Sequence, residues 1–174
     1  MEEQFSLVAA QKDVINLPSA TKDNTISQLR NTLPRKEILR GFNVFNEVYA
    51  KGTPLYASCL SCRVVERKEI SNQHVPTDVP VLVGFSVSRK VRTAVERNRV
   101  KRLLRESFRT QKHTLLEYCS QAHIQLILLF SFHNKTEIPL KKFPCSVVQN
   151  EMNILLDKVL QKVIKIDFLA NTHQ

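Results

Sequence analysis

The sequence predicts an α/β fold, an α+β sandwich: a mixed sheet of about four strands with three helices, in the order αβββαβα. Three stretches predict it. Residues 81–88 alternate, with Val81, Val83, Phe85 and Val87 on one side and Leu82, Gly84 and Ser86 on the other, as a strand does. Residues 123–132, HIQLILLFSF, are nearly all apolar, which is how a strand buried on both faces reads. Between them Val100, Leu103, Leu104, Phe108 and Leu115 recur at three- and four-residue steps, one face of a helix. Strand, long helix, strand is a crossover unit, so the two strands should pair parallel. The general rule for such units predicts a right-handed connection.

The remaining elements follow in chain order. Residues 1–32 hold scattered apolar positions with no sustained period, and are expected to form a disordered or loosely helical extension outside any charged interface. A domain is expected over 33–166, with 167–174 as an uninformative tail. Within it, Ile38, Leu39, Phe42, Phe45, Val48 and Tyr49 predict a helix over 36–50, weakened inside by Gly41 and ended at Lys51 and Gly52. Residues 55–67 predict a strand with a break, followed by a polar loop over 68–80 in which His74 has no partner and reads as solvated. After the second strand of the crossover, residues 133–144 form a loop with Lys135, Lys141 and Lys142. Val148, Met152, Leu155, Leu156, Val159 and Val163 then predict a last helix over 146–165, expected on the sheet face that the other helices leave open.

Charge is distributed unevenly. The 174 residues carry a net charge of +10, and residues 88–112 alone hold ten cations against Glu96 and Glu106. Thr93 with Glu96 fits a capping box at the start of that helix. At about 100° per residue, Asn98, Lys101, Arg102, Arg105, Arg109 and Lys112 fall opposite the apolar face, with Arg97 toward the core side and Arg99 on the flank. A solvated helix face normally mixes signs, and this one hardly does. Guanidinium groups grip phosphates bidentately, so the pattern favours a polyanion, and nucleic acid above all.

Catalytic sets are missing from the sequence. No carboxylate pair has the spacing of a two-metal nuclease, the histidines at 74, 113, 123, 133 and 173 form no metal motif, and there is no phosphate-binding glycine loop. The Cys-x-x-Cys of Cys59 and Cys62 lies in an expected strand, where the two side chains would point to opposite faces. Both, with Cys119 and Cys145, are therefore expected as buried reduced thiols rather than metal ligands or disulfides. No apolar run is long enough to span a bilayer, and the acidic start MEEQFSLVAAQ lacks a basic signal region, so a cytoplasmic protein is expected.

At the basic helix a family comes into view. Phe85, Ser86, Val87, Ser88, Arg89 and Lys90, followed by residues 94–106 around Arg97, Asn98, Arg99, Val100, Lys101 and Arg102, resemble the central signature of the bacterial ribonuclease P protein component. The resemblance extends more weakly from about 33 to 165. It implies the protein subunit of a ribonucleoprotein whose RNA subunit holds the active site, with Mg2+ bound mainly through that RNA. The partners it implies are the catalytic RNA and precursor tRNA, whose 5′ leader is removed. It assigns Arg97, Asn98, Arg99, Lys101, Arg102 and Arg105 to the catalytic RNA, with Ser88, Arg89 and Lys90 continuing that surface. It assigns Phe45 and Tyr49, spaced before Gly52, to the leader. From the residues alone, both rings read first as core, and base stacking is the second reading. The resemblance also implies a left-handed crossover, against the general rule. Two rivals stand beside it: a ribosomal or RNA-chaperone protein, and a transcription factor reading a DNA major groove, which the half-buried helix without a helix-turn-helix partner disfavours.

Overall fold

The computed structural model describes residues 32–71, 75–88, 91, 93–133 and 144–172. The elements are α1 (Phe42–Lys51), β1 (Thr53–Tyr56), β2 (Leu60–Glu66), β3 (Val81–Val87), α2 (Ala94–Gln111), α3 (His113–Gln121), β4 (Leu126–Phe132) and α4 (Cys145–Thr172), with short 3-10 turns at Arg35–Glu37 and Arg67–Glu69. The four strands lie in the order β1-β2-β4-β3. β3 and β4 pair parallel from Val81 opposite Leu126 to Val87 opposite Phe132, as the crossover requires. β1 with β2, and β2 with β4, are antiparallel, so the sheet is mixed.

The predicted strand over 55–67 is a hairpin, β1 and β2. Its turn, Ala57, Ser58 and Cys59, contains no glycine or proline. It is held from elsewhere: the buried Glu151 carboxylate on α4 accepts the Cys59 N–H at 2.7 Å and the Leu60 N–H at 3.0 Å. Donors that the turn would leave unpaired are thus satisfied by an element far along the chain. Cys59 sits in this turn and not in the pleat, so it does not oppose Cys62. Both join the same apolar cluster as Cys119, and all three are free and buried, whereas Cys145, expected buried, is exposed at the start of α4.

The first predicted helix is shorter than its apolar pattern. Ile38 bridges to Val83 and the Leu39 N–H donates to the Val83 carbonyl at 2.9 Å, so this stretch runs beside β3 as an edge piece. Gly41, at φ +91°, then redirects the chain into α1. A left-handed backbone costs glycine nothing, which explains its position at the corner.

The basic segment is two helices, not one, making four helices among the described residues. The break falls at Lys112. Lys112 was expected on the solvent face, yet it is 3 % exposed and its Nζ meets Glu37 Oε2 at 2.6 Å. An ammonium inside a protein needs a carboxylate partner, and that tertiary pairing overrides the helical period here.

The last helix runs longer than predicted, and it shares a face with other helices instead of taking one they leave open. α4 packs against α2, so α2, α3 and α4 share one side of the sheet. There Val100, Leu104, Phe108, Leu115, Met152, Leu155 and Val159 bury Cys62, Val64, Val83, Phe85, Leu128 and Phe130. Phe85, Phe108 and Phe130 form an aromatic cluster with ring centroids 5.7 to 6.2 Å apart. Among the described residues α1 is the helix that covers the opposite side, where Val44 and Val48 meet Leu82, Ile127 and Leu129, helped by Leu39, Ile70, Val75 and Val79 from the connecting loops.

Candidate nucleic-acid interface

Beside the strip of sheet that α1 covers, register brings a second, polar row together. Tyr56 on β1 lies opposite Ser61 on β2, Ser61 opposite Ser131 on β4, and Ser131 opposite Ser86 on β3. Side chains alternate along a strand, so these four point to the α1 side while Cys62, Phe130 and Phe85 point into the core. The result is a row of three hydroxyls across three strands, one strand spacing apart, with Tyr56 at the β1 edge, 60 % exposed. α1 lies over the next row, Arg63, Leu129 and Gly84. A Cβ on Gly84 would come 2.9 Å from Leu129 Cδ1 and 3.0 Å from Phe45 Cζ, so glycine lets the Phe45 ring settle on β3.

Phe45 and Tyr49, the two rings singled out by spacing, therefore differ. Phe45 is half-buried against the α1-side core. Tyr49 is exposed and stands at the border of the hydroxyl row. Its Oη shares a hydrogen bond of 2.7 Å with Ser131 Oγ, and the Arg63 guanidinium lies 5.3 Å from its ring centroid. Arg63 is itself held by the Gly52 carbonyl, which accepts from Nη1 at 3.1 Å. The ring is thus fixed at its edge and on one face, leaving aromatic surface beside the row. At the far side of β2, Ser61 Oγ and His133 Nε2 are 2.7 Å apart. The C-terminal end of α1 is fastened by Glu47, whose carboxylate accepts from Lys51 Nζ at 2.8 Å and the Ser71 N–H at 2.7 Å. Those donors, the Lys51 ammonium first, lower its pKa to about 2.

The second part of the interface is α2. Thr93 caps it, its Oγ1 accepting the Glu96 N–H at 3.2 Å and donating to Glu96 Oε2 at 2.9 Å. Arg97 is half-buried and its Nη1 donates to the Val91 carbonyl at 2.9 Å, bracing the turn that enters the helix. Asn98, Arg99, Arg102 and Arg105 are exposed and Lys101 is half-buried. Arg99 and Arg102 border a surface hollow of about 290 Å³ with Leu103, Glu106 and Cys145. Arg109 is drawn into a 2.8 Å ion pair with Glu106, and Lys112 is buried. The cations of α2 are therefore sorted. Arg97, Arg109 and Lys112 have partners within the protein, while Arg99, Arg102 and Arg105 have no ion pair among the described residues. Ser88 is half-buried, its N–H donating to the Phe132 carbonyl at 3.4 Å and its carbonyl accepting the Val91 N–H at 3.1 Å. Arg89 and Lys90 lie outside the described residues, as does His74.

Sequence reasoning missed Tyr56, Ser61, Arg63, Ser86, Ser131 and His133. The available signal was weak: Ser61, Ser86 and Ser131 interrupt three apolar strands, and only register shows that they form one row.

Among the described residues there is no cluster of histidine, cysteine or carboxylate side chains able to hold a metal, and no helix long and apolar enough to cross a membrane. Burial raises the thiol pKa of Cys119 to about 12, and burial with the Glu151 carboxylate beside it does the same for Cys59; Cys62 is shifted in the same direction by burial.

Fold and charge together define a basic α+β protein with a cationic crossover helix on one side of its sheet and an aromatic-edged polar strip on the other. Residues 33–159 match the family model described as Ribonuclease P. The chain is 30 % identical over 138 residues to the ribonuclease P protein component of Chlorobaculum tepidum, covering 75 % of this chain and 88 % of that one. It is 33 % identical over 109 residues to the same component of Chlorobium phaeobacteroides, covering 58 % and 72 %. The fold is similar to that of the Staphylococcus aureus RNase P protein, with a TM-score of 0.50 and 22 % identity over 71 % of this chain and 94 % of that one. The chain belongs to the ribonuclease P protein family, the protein subunits of a tRNA-processing ribonucleoprotein, and works there with an RNA subunit.

Proposed function

We propose that the solvent face of α2 binds the catalytic RNA of ribonuclease P, that the hydroxyl row takes the 5′ leader of precursor tRNA, and that the RNA subunit holds the active site. The observation that carries this is the sorting of cations on α2, which leaves Arg99, Arg102 and Arg105 exposed on a helix whose other guanidiniums are used internally. Guanidiniums without internal partners are available to phosphates, and each phosphate neutralised releases counterions. Asn98 and Lys101 contribute along the same face, and Arg97 acts by holding the Val91 carbonyl ahead of the helix. Arg89 and Lys90 extend the surface by their place in the sequence.

The row suits a single strand of variable sequence. The exposed Tyr49 and Tyr56 rings stack on any base, the buried Ser131 hydroxyl holds Tyr49 in place, and Ser86 at the end of the row keeps a half-exposed hydroxyl. Tyr49 gives the stacking surface, and Phe45 supports it from below as part of the core. The row ends at Ser86, two residues before Ser88 and the turn into α2. The leader and the catalytic RNA would therefore meet there, next to the bond to be cut. Mg2+ is carried mainly by the RNA subunit, and the holoenzyme acts in the cytoplasm, where precursor tRNA is made.

Reconstitution with a bacterial ribonuclease P RNA tests this. The protein should accelerate precursor tRNA cleavage at low magnesium. Arg99→Ala with Arg102→Ala should weaken that gain and make the salt dependence of RNA binding shallower. No acceleration from the unmodified protein would reject the reading, and an unchanged salt slope would remove α2 from the interface.

A further inference from the structure

A groove of about 420 Å³ lies at the β3 edge, between the turn Arg35–Glu37 with the stretch that follows it and the loop at Val75 and Pro76. Leu39 and Val75 form its buried floor, and Ile38 and Pro76 add apolar surface that solvent reaches. Arg35, Lys36 and Arg40 line it, and all three are exposed. Lys36 Nζ lies 3.7 Å from Asp78 Oδ2, with both side chains more than 60 % exposed, a screened pair that an incoming phosphate can displace. Arg35 and Arg40 have no ion pair among the described residues.

We propose that this groove is a second anchoring surface for the phosphate backbone of the RNA subunit, separate from α2. The proposal rests on the reading that α2 holds that RNA. Charge complementarity selects the class of partner: two guanidiniums and an ammonium around an apolar floor fit a phosphodiester chain, with a ribose or base on Ile38 and Pro76. Two features select the RNA subunit over the leader. The Lys112 and Glu37 ion pair, 2.6 Å long and largely buried, locks the Arg35–Glu37 turn to the junction of α2 and α3, three residues past Arg109. The groove and the cationic helix are thus parts of one rigid surface wrapping the β3 edge. The hydroxyl row, by contrast, is on the other side of α1. Leu39 and Phe45 both press on the position of Gly84, so the α1 packing stands between groove and row.

A second contact on a rigid surface raises affinity without new flexibility, because both are engaged at once. Arg35→Gln with Arg40→Gln removes the rim without touching the core. Binding of the double variant to a bacterial ribonuclease P RNA is measured from low to physiological salt, beside Arg102→Gln with Arg105→Gln. Precursor tRNA with a long leader and with none is then compared on each holoenzyme. The groove variant should bind the RNA subunit about tenfold more weakly at physiological salt, with a slope shallower by roughly one to two phosphates, and should keep its preference for the leader. Unchanged RNA-subunit binding would overturn the proposal, whether or not leader preference falls; a fall would show that the groove holds leader instead. If the α2 variant also binds unchanged, the reading of α2 has failed as well. A groove effect with no α2 effect would keep the anchor and reject α2.

Discussion

The two sides of this sheet differ in what they carry. On one, α2, α3 and α4 cover the strands, and the residues of β4 that face them, Leu126, Leu128, Phe130 and Phe132, are all buried. On the other, α1 covers the middle, and the polar row at its flank is exposed at the Tyr49 and Tyr56 rings while Ser61 and Ser131 are buried. The first side supplies stability, since each large apolar side chain withdrawn from water contributes about 1.5–3 kcal/mol. The second forgoes some of that burial by placing serines in its strands, and it keeps the Tyr49 and Tyr56 rings exposed. The lesson is that α4, by docking beside α2, leaves the α1 side to a polar row edged by tyrosine rings.

Substitutions can test that division. The largest effect is expected from Phe108→Ala, which empties the centre of the aromatic cluster on the fully covered side. It should cost about 3–5 kcal/mol, seen as a lower urea midpoint. Gly84→Ala, beneath α1, pushes a methyl group against Leu129 and Phe45 and should cost about 1–3 kcal/mol, also by urea unfolding. If the two changes were equally costly, α1 would be packed as tightly as the three-helix side. Ser131→Val, in the row itself, removes the partner of Tyr49 Oη; stability should fall by no more than about 1.5 kcal/mol. Its sharper readout is the holoenzyme's preference for precursor tRNA with a leader over one without, which should decrease about tenfold. A preference left intact would take the row out of the leader path. The smallest effect concerns chemistry at the surface. Alkylation at pH 8 should modify Cys145 alone and leave the protein folded, because Cys59, Cys62 and Cys119 are buried with raised pKa values. Labelling of Cys59 in the native state would show that the hairpin turn opens, contrary to its anchoring by Glu151.

Much of this was legible in the chain. The alternation of 81–88, the apolar run before Phe132 and the period of residues 93–112 located β3, β4 and α2, and the Arg97, Asn98, Arg99 signature pointed to the family. What was not legible shares one cause, which is contact between residues distant in sequence. Lys112 continues the helical charge stripe by arithmetic, yet Glu37 draws it inside. Ala57, Ser58 and Cys59 lack turn residues, yet Glu151 closes the turn. Ile38 and Leu39 carry a helical period, yet the open edge of β3 takes them as a partner.

The sequence by itself determined which residues could be buried, where the strands and the cationic helix lie, and to which family the chain belongs. Those properties depend on local periodicity, composition and an ordered motif. Tertiary structure alone decided which cations stay exposed, which sheet face α4 covers and that three serines on three strands form one row. Each of these is set by register and packing between distant segments, and a linear pattern carries no information about which of its faces a neighbour will occupy.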